Sequence, residues 1–190
     1  MDQAVRFLID TVFGLFTYGF LLRFIMQALR APFRNPLGQA VTALTDWAVK
    51  PLRRLLPGLR GVDWSTLVLA WLAQWLWLVL VAAIGSISAL PPWMMIAVVL
   101  ALVELLKATI WILIIAVLLQ AVLSWVAPDG PLSGLLNALT FRFLAPLRRM
   151  IPPLGGSLDL SPLIFIVLAQ LVLMLPVHWL EQAVVRLLAV

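Results

Sequence analysis

One stretch of this chain occurs twice. Leu44-Thr45-Asp46-Trp47-Ala48-Val49-Lys50-Pro51-Leu52-Arg53-Arg54-Leu55-Leu56-Pro57, followed by Gly61, Asp63 and Ser65, returns as Leu139-Thr140-Phe141-Arg142-Phe143-Leu144-Ala145-Pro146-Leu147-Arg148-Arg149-Met150-Ile151-Pro152, followed by Gly156, Asp159 and Ser161. The offset is 95 residues as far as the glycines and 96 at the aspartates and serines, so a single residue separates the two spacings. A match of this length and order implies internal duplication, and whatever the first half folds into, the second repeats. The expected units are residues 1–90 and 91–190.

The segments flanking the loops are almost wholly apolar. The chain is 64% hydrophobic and 11% charged, against about 25% charged in a soluble domain. A water-soluble protein of that make-up could not cover its surface. The pattern predicts an all-α membrane protein with four transmembrane helices, arranged as two parallel two-span repeats. Each repeat carries an amphipathic interfacial helix in its cytoplasmic loop. No cleavable signal peptide is expected, because Met1-Asp2-Gln3 is acidic and no small-residue cleavage site follows the first apolar run. There is no cysteine and one histidine, His178. Disulfides, thiolate metal sites and multi-histidine centres are excluded within one chain, so neither metal nor other cofactor is expected.

A sequence pI near 11.1 could suggest nucleic acid, but the placement of charge argues against it. Nine of the 13 Lys and Arg residues fall in the two loops with four aspartates, which accounts for the whole net charge of +5. By the positive-inside rule, loops 30–64 and 127–160 face the cytoplasm, and the termini lie outside a bacterial inner membrane.

The first span should end at Ala31-Pro32. Asn35-Pro36 then signals a turn, and Leu37–Val49 forms an interfacial helix ended by Pro51. Asp63 or Ser65 can cap the second span, and Pro91-Pro92 breaks the chain after it. Leu132–Leu144 is the second interfacial helix, and Ser161-Pro162 opens the fourth span as N-cap serine and first-turn proline. The apolar stretch 93–103 exceeds the length needed to cross. It implies a strongly tilted helix or one extended along the outer interface.

Counting about 1.5 Å per residue from the loop ends puts Arg23, Gln74, Gln120 and Gln170 at one depth. Polar groups there are expensive and usually face partners in the bundle. The expectation is a structural cluster around a pseudo-twofold axis, weighed against a snorkelling arginine and a transport pathway. Arg53, Arg54, Arg148 and Arg149, with Lys50 and Arg142, are the candidate contacts to anionic headgroups or an unidentified membrane partner. Glu104 and Lys107 can pair on one helix face. No nucleophile–base pair or phosphate loop appears, and no enzymatic activity is expected.

Asn35-Pro36, Pro51-Leu52-Arg53-Arg54-x-x-Pro57 with Gly61-Val62-Asp63, and Pro146-Leu147-Arg148-Arg149-x-x-Pro152-Pro153-Leu154-Gly155-Gly156 with Asp159-Leu160-Ser161-Pro162 closely resemble the YggT (YlmG) family of small bacterial membrane proteins, which has chloroplast relatives. The first copy departs from the pattern at Trp64 and Thr66. The resemblance implies a non-enzymatic membrane protein. Plastid relatives are linked to cytochrome complex assembly and thylakoid organisation, and bacterial ones to osmotic tolerance and the neighbourhood of cell-division genes. A scaffold or assembly factor is the favoured reading; a small channel or transporter, operating as a homo-oligomer, is the alternative.

Overall fold

The computed structural model describes residues 2–58, 61–85, 90–151 and 159–188. Its described elements are all helical: α1 (Asp2–Ala28), α2 (Pro36–Arg53), α3 (Trp64–Gly85), α4 (Leu90–Val126), α5 (Ser133–Met150), α6 (Ser161–Val172) and α7 (His178–Leu188), with a π-helical turn over Leu173–Val177 joining the last two. Four stretches are long and apolar enough to cross a membrane, at Gln3–Ala28, Trp64–Ile84, Trp93–Val126 and Ser161–Arg186. Their order is the two-repeat plan expected: span, short amphipathic helix, span, and again.

The helix ends show what the residues do. α1 stops before Pro32, because Arg30 takes a left-handed φ of 53°. Ala31 N–H then reaches Met26 O at 2.8 Å and Arg30 N–H reaches Gln27 O at 3.0 Å, the paired bonds of a Schellman cap. Asn35 Oδ1 accepts from Gly38 N–H at 2.8 Å, and Asn35 Nδ2 donates to Pro32 O at 2.6 Å. Asn35 therefore caps α2 with Pro36 in its first turn. A Cβ on Gly38 would stand 2.6 Å from Phe33 O, so the tight turn requires glycine.

Two sequence-based expectations about prolines are corrected. Pro51 does not end α2, which runs on to Arg53; Pro146, at the matching place, likewise lies inside α5, which runs to Met150. Near a C-terminus a proline removes one ladder bond, here to Trp47 and Arg142, and the last turn survives it. Pro91-Pro92 does not break the chain; α4 begins at Leu90 and holds both in its first turn, where helical N–H groups lack partners anyway. At Pro176 a five-residue π turn widens the fourth span and absorbs the missing N–H.

Segment 93–103 belongs to a continuous 37-residue helix. Ile96, Ala97, Leu100 and Ala101 are buried, and Ala97, Leu100 and Ala101 form a core with Leu78 of α3. Trp71 Nε1 donates to Val98 O at 3.0 Å and Trp75 Nε1 to Met94 O at 3.2 Å. The small residues let α3 approach closely enough for indole N–H groups to reach α4 carbonyls.

α4 is the central post of the bundle, packing on α3 and α1 on one side and on α5, α6 and α7 on the other. Among the described residues, α1 and α6 make no comparable contact. A closed pseudo-twofold would require one, so that expectation is also corrected. Its cause is legible: the duplication places Val167 and Leu171 of α6 where α3 has Trp71 and Trp75, and only the tryptophans can donate. The main core joins Phe20, Leu21, Ile25 and Met26 of α1, Val49 of α2, Leu105 and Ala116 of α4, and Leu135, Leu136 and Leu139 of α5. α3 and the fourth span bury few residues within the chain, as helices apolar on every side do in lipid.

Candidate functional site

The two loops share a clamp. Arg53 Nε donates to Asp63 Oδ2 at 2.9 Å, with a second, shorter contact from Nη2. Arg148 Nε donates to Asp159 Oδ2 at 2.8 Å. In each loop the other carboxylate oxygen accepts an N–H from the first turn of the next span: Ser65 N at 3.1 Å on Asp63, Ser161 N at 2.9 Å on Asp159. One carboxylate thus ties the end of the amphipathic helix to the start of a span.

Ser161 was expected as N-cap. It lies inside α6, and the Asp159 carboxylate does the capping. Ser65 Oγ donates to Leu56 O at 2.7 Å instead. Gly61 adopts a φ of 80°, a left-handed turn that glycine enters without steric penalty. Pro57 and Pro162 stand at the loop exit and in the first turn of α6. Pro152 and Gly156 lie outside the described residues.

Partial burial works against ionisation of Asp159, but hydrogen bonds from Ser161 and Arg148 outweigh it and hold the carboxyl below the usual carboxylate range. The clamp divides each arginine pair. Arg53 and Arg148 are occupied, whereas Arg54 and Arg149 are exposed and make no ion pair among the described residues. Exposed Leu55 follows one and Met150 the other.

The polar layer separates into distinct contacts. Arg23, 6% exposed, donates through Nη1 to Thr45 Oγ1 at 2.7 Å and to Asp46 Oδ1 at 2.8 Å. Lys50 Nζ holds the other Asp46 oxygen at 2.8 Å. Lys50 foremost, with Arg23, lowers the Asp46 pKa against the opposing effect of burial. In the second repeat the Gln120 amide meets Thr140 Oγ1. The Thr140 hydroxyl also reaches Leu136 O at 2.8 Å. It has one proton, so with that proton on Leu136 the Gln120 amide must present its N–H.

Among the described residues no hydrogen bond joins Arg23 to Gln74, Gln120 or Gln170, which corrects the expected single cluster. The reason is chemical. A carboxylate and a hydroxyl on the helix beneath are stronger and nearer acceptors for a guanidinium than a glutamine on another span. Helical spacing puts Thr45 on the polar side of α2, opposite Leu37, Ala40, Val41, Leu44 and Ala48, and nothing in it marks Thr140, yet both threonines are completely buried. Their place in the duplicated stretch was the available signal.

Gln74 lines a cavity of about 310 Å³ between α1, α3 and α4, together with Asp10, Thr17, Trp77, Glu104 and Lys107. Trp77 Nε1 donates to Asp10 Oδ1 at 2.7 Å. Lys107 pairs with Glu104 at 2.8 Å, as the spacing predicts, and also bridges to Glu181 of α7 at 2.7 Å. Gln170 lines a second recess beyond Lys107 with His178 and Glu181.

The chain matches the model of the CCB3/YggT family twice, over residues 3–84 and 99–180. It is similar to an uncharacterized protein of Pseudomonas aeruginosa, 34% identical over 197 residues covering 94% of this chain and 90% of that one. An uncharacterized protein in the proC 3′ region of Vibrio alginolyticus is 35% identical, with 87% and 89% covered. The uncharacterized protein YggT of Escherichia coli K12 is also 35% identical, with 90% and 87% covered. No solved structure matches the chain.

Proposed function

The chain belongs to the CCB3/YggT family, and we propose that it works there as a non-enzymatic membrane scaffold or assembly factor. Its arginine loops face the cytoplasm and engage the inner leaflet and a protein partner. One observation carries this reading. Each loop spends its first arginine on an internal clamp and leaves the second, Arg54 or Arg149, exposed beside a large apolar side chain. The clamp ties down the adjoining backbone, so the exposed arginine binds at a lower ordering cost, that of its side chain alone. Near an anionic leaflet each such residue contributes about 1 kcal/mol.

The test uses photo-crosslinking residues at positions 54 and 149 in cells, with position 186 as the opposite-end control. A discrete protein adduct from the loops, absent from position 186, is expected. Lipid adducts alone would remove the partner from the proposal, and adducts from position 186 only would reverse the orientation.

A second reading, an oligomeric channel or transporter, is favoured by the 310 Å³ cavity, whose lining runs from Asp10 to Thr17 along α1. Ion flux from proteoliposomes, abolished by Lys107→Leu, would favour it over the scaffold.

A further inference from the structure

α1 ends on a residue that fits its position poorly. Arg30 occupies the left-handed site of the Schellman cap at φ 53°, where glycine is usual because it escapes the Cβ clash. A strained backbone at a non-glycine residue points to a role for the side chain. Arg30 lines an open groove of about 720 Å³ between the end of α1 and the exposed face of α5, with Gly134, Asn137, Ala138, Phe141 and Arg142 along it. The groove joins the two repeats, since α1 belongs to the first and α5 to the second.

Its chemistry is one-sided. Neither Arg30 nor Arg142 forms an ion pair among the described residues, and no carboxylate lines the groove. Asn137 adds an exposed amide, able to donate or accept. The remaining lining is small or apolar. On α5, Gly134 and Ala138 lie one turn apart and keep the floor low, and a Cβ added to Gly134 would meet nothing within 4 Å. Phe141, 57% exposed, forms an apolar wall beside Arg142. The opposite face of α5 buries Leu135, Leu136, Leu139 and Leu144 in the core, so the groove face is held in place.

We propose that this groove is a binding site for one anionic diacyl phospholipid, of the phosphatidylglycerol class. Arg30 and Arg142 take the headgroup phosphate, and the glycerol and first methylenes lie along Gly134, Ala138 and Phe141. Two unpaired guanidinium groups suit a phosphate diester. The adjoining apolar floor distinguishes a lipid from a free anion, and basic pockets between spans and interfacial helices are where such headgroups bind. The proposal rests on the arginine-loop end meeting a leaflet, but not on Arg54, Arg149 or any protein partner. Loss of the partner adduct would leave it standing.

The experiment is native mass spectrometry of the full chain in mild detergent. Dioleoyl-phosphatidylglycerol or dioleoyl-phosphatidylethanolamine is added, and melting temperature is followed in parallel. One phosphatidylglycerol should be retained in preference to phosphatidylethanolamine. Arg30→Gly relaxes the cap, so the melting temperature should hold or rise while retention falls roughly fivefold. Arg142→Gln should do the same. Gly134→Leu should reduce retention without altering charge, and Arg186→Gln should leave it unchanged. Wild-type retention by Arg30→Gly, or equal retention of the two lipids, would overturn the site. Displacement of the lipid by millimolar glycerol 3-phosphate would show a free-phosphate site and overturn the lipid assignment.

Discussion

Two helices of the same descent are held down in different ways. Thr45 and Thr140 occupy matching places in the duplicated stretch, both fully buried, and each bonds the carbonyl four residues back in its own helix. Each also receives a polar residue from the span above. In the first repeat that residue is a buried arginine, which needs Asp46 as well. In the second it is Gln120, a neutral amide that brings no counter-ion. Duplication therefore kept the anchor point, but the polar partner comes from another position of the span, since at the 95-residue offset Gln120 matches Ile25 and Arg23 matches Leu118. The first anchor brings an ion, a counter-ion and Lys50 as second counter-charge; the second is a neutral contact. Stability should follow that difference, because removing one member of a buried pair leaves a desolvated charge, whereas a lost neutral bond leaves a dipole.

The largest effect separates the two anchors directly. Asp46→Ala strands Arg23 with a single hydroxyl, and breaking a buried pair costs about 3–5 kcal/mol; Asp46 is 25% exposed, which places the loss near 3 kcal/mol. Arg23→Leu should cost much less, since Asp46 keeps Lys50. The double variant, Arg23→Leu with Asp46→Leu, should recover most of the loss. Thermal unfolding in detergent would rank the three, and an Arg23→Leu protein as damaged as Asp46→Ala would break the argument.

A smaller effect compares the threonines. Thr140→Val removes a neutral contact and leaves the Gln120 amide to find water, for about 1–2 kcal/mol. Thr45→Val removes one of two acceptors from Arg23 and should cost slightly more. Gln120→Leu combined with Thr140→Val should be clearly non-additive, costing less than the sum of the two single changes, because both partners vanish together. If Thr45→Val is harmless while Thr140→Val is severe, the charged and neutral assignments are reversed.

The plan of four apolar helices, two amphipathic helices and a duplication could be read from residues alone, because hydropathy and repeat spacing are local signals. The Arg–Asp clamps were half legible. Asp63 and Asp159 were marked as motif and cap residues, and Arg53 and Arg148 as lipid contacts, but their pairing depends on a loop path that spacing does not define. The polar layer failed more instructively. Depth along a helix places Arg23 and Gln74 at one height and says nothing about rotation. Around its axis Arg23 faces α2, and Gln74 faces the cavity beside Lys107. The length of α4 was legible in its apolar run, but not the bonds from Trp71 and Trp75 that tie its outer turns to α3, a pairwise effect that no single-segment pattern reveals.

The smallest effect tests whether the clamps, unlike the anchors, survived duplication unchanged. Asp159 ionises more readily folded than free, because Ser161 and Arg148 outweigh the penalty of partial burial. A depressed folded pKa contributes stability that is present above the unfolded value, near 3.9. It is lost as pH falls through the folded one. The second loop should therefore keep its clamp at pH 5 and release it only below about pH 4. With Arg148 and Asp159 both more than a third exposed at the side chain, solvent screening limits the contribution to under ~1 kcal/mol. Asp159→Asn retains the shape but weakens the acceptor for Arg148. It should flatten the acid dependence of a fluorophore attached at position 149 while leaving the melting temperature at pH 7 within about 2 °C. The same label at position 54 reports the Arg53–Asp63 clamp, whose aspartate is more deeply buried. At pH 7 it should respond to Asp63→Asn as the position-149 label responds to Asp159→Asn, because each carboxylate holds an arginine and an N–H at the start of the next span. A response at only one of the two positions would mean that the clamps had diverged as the anchors did.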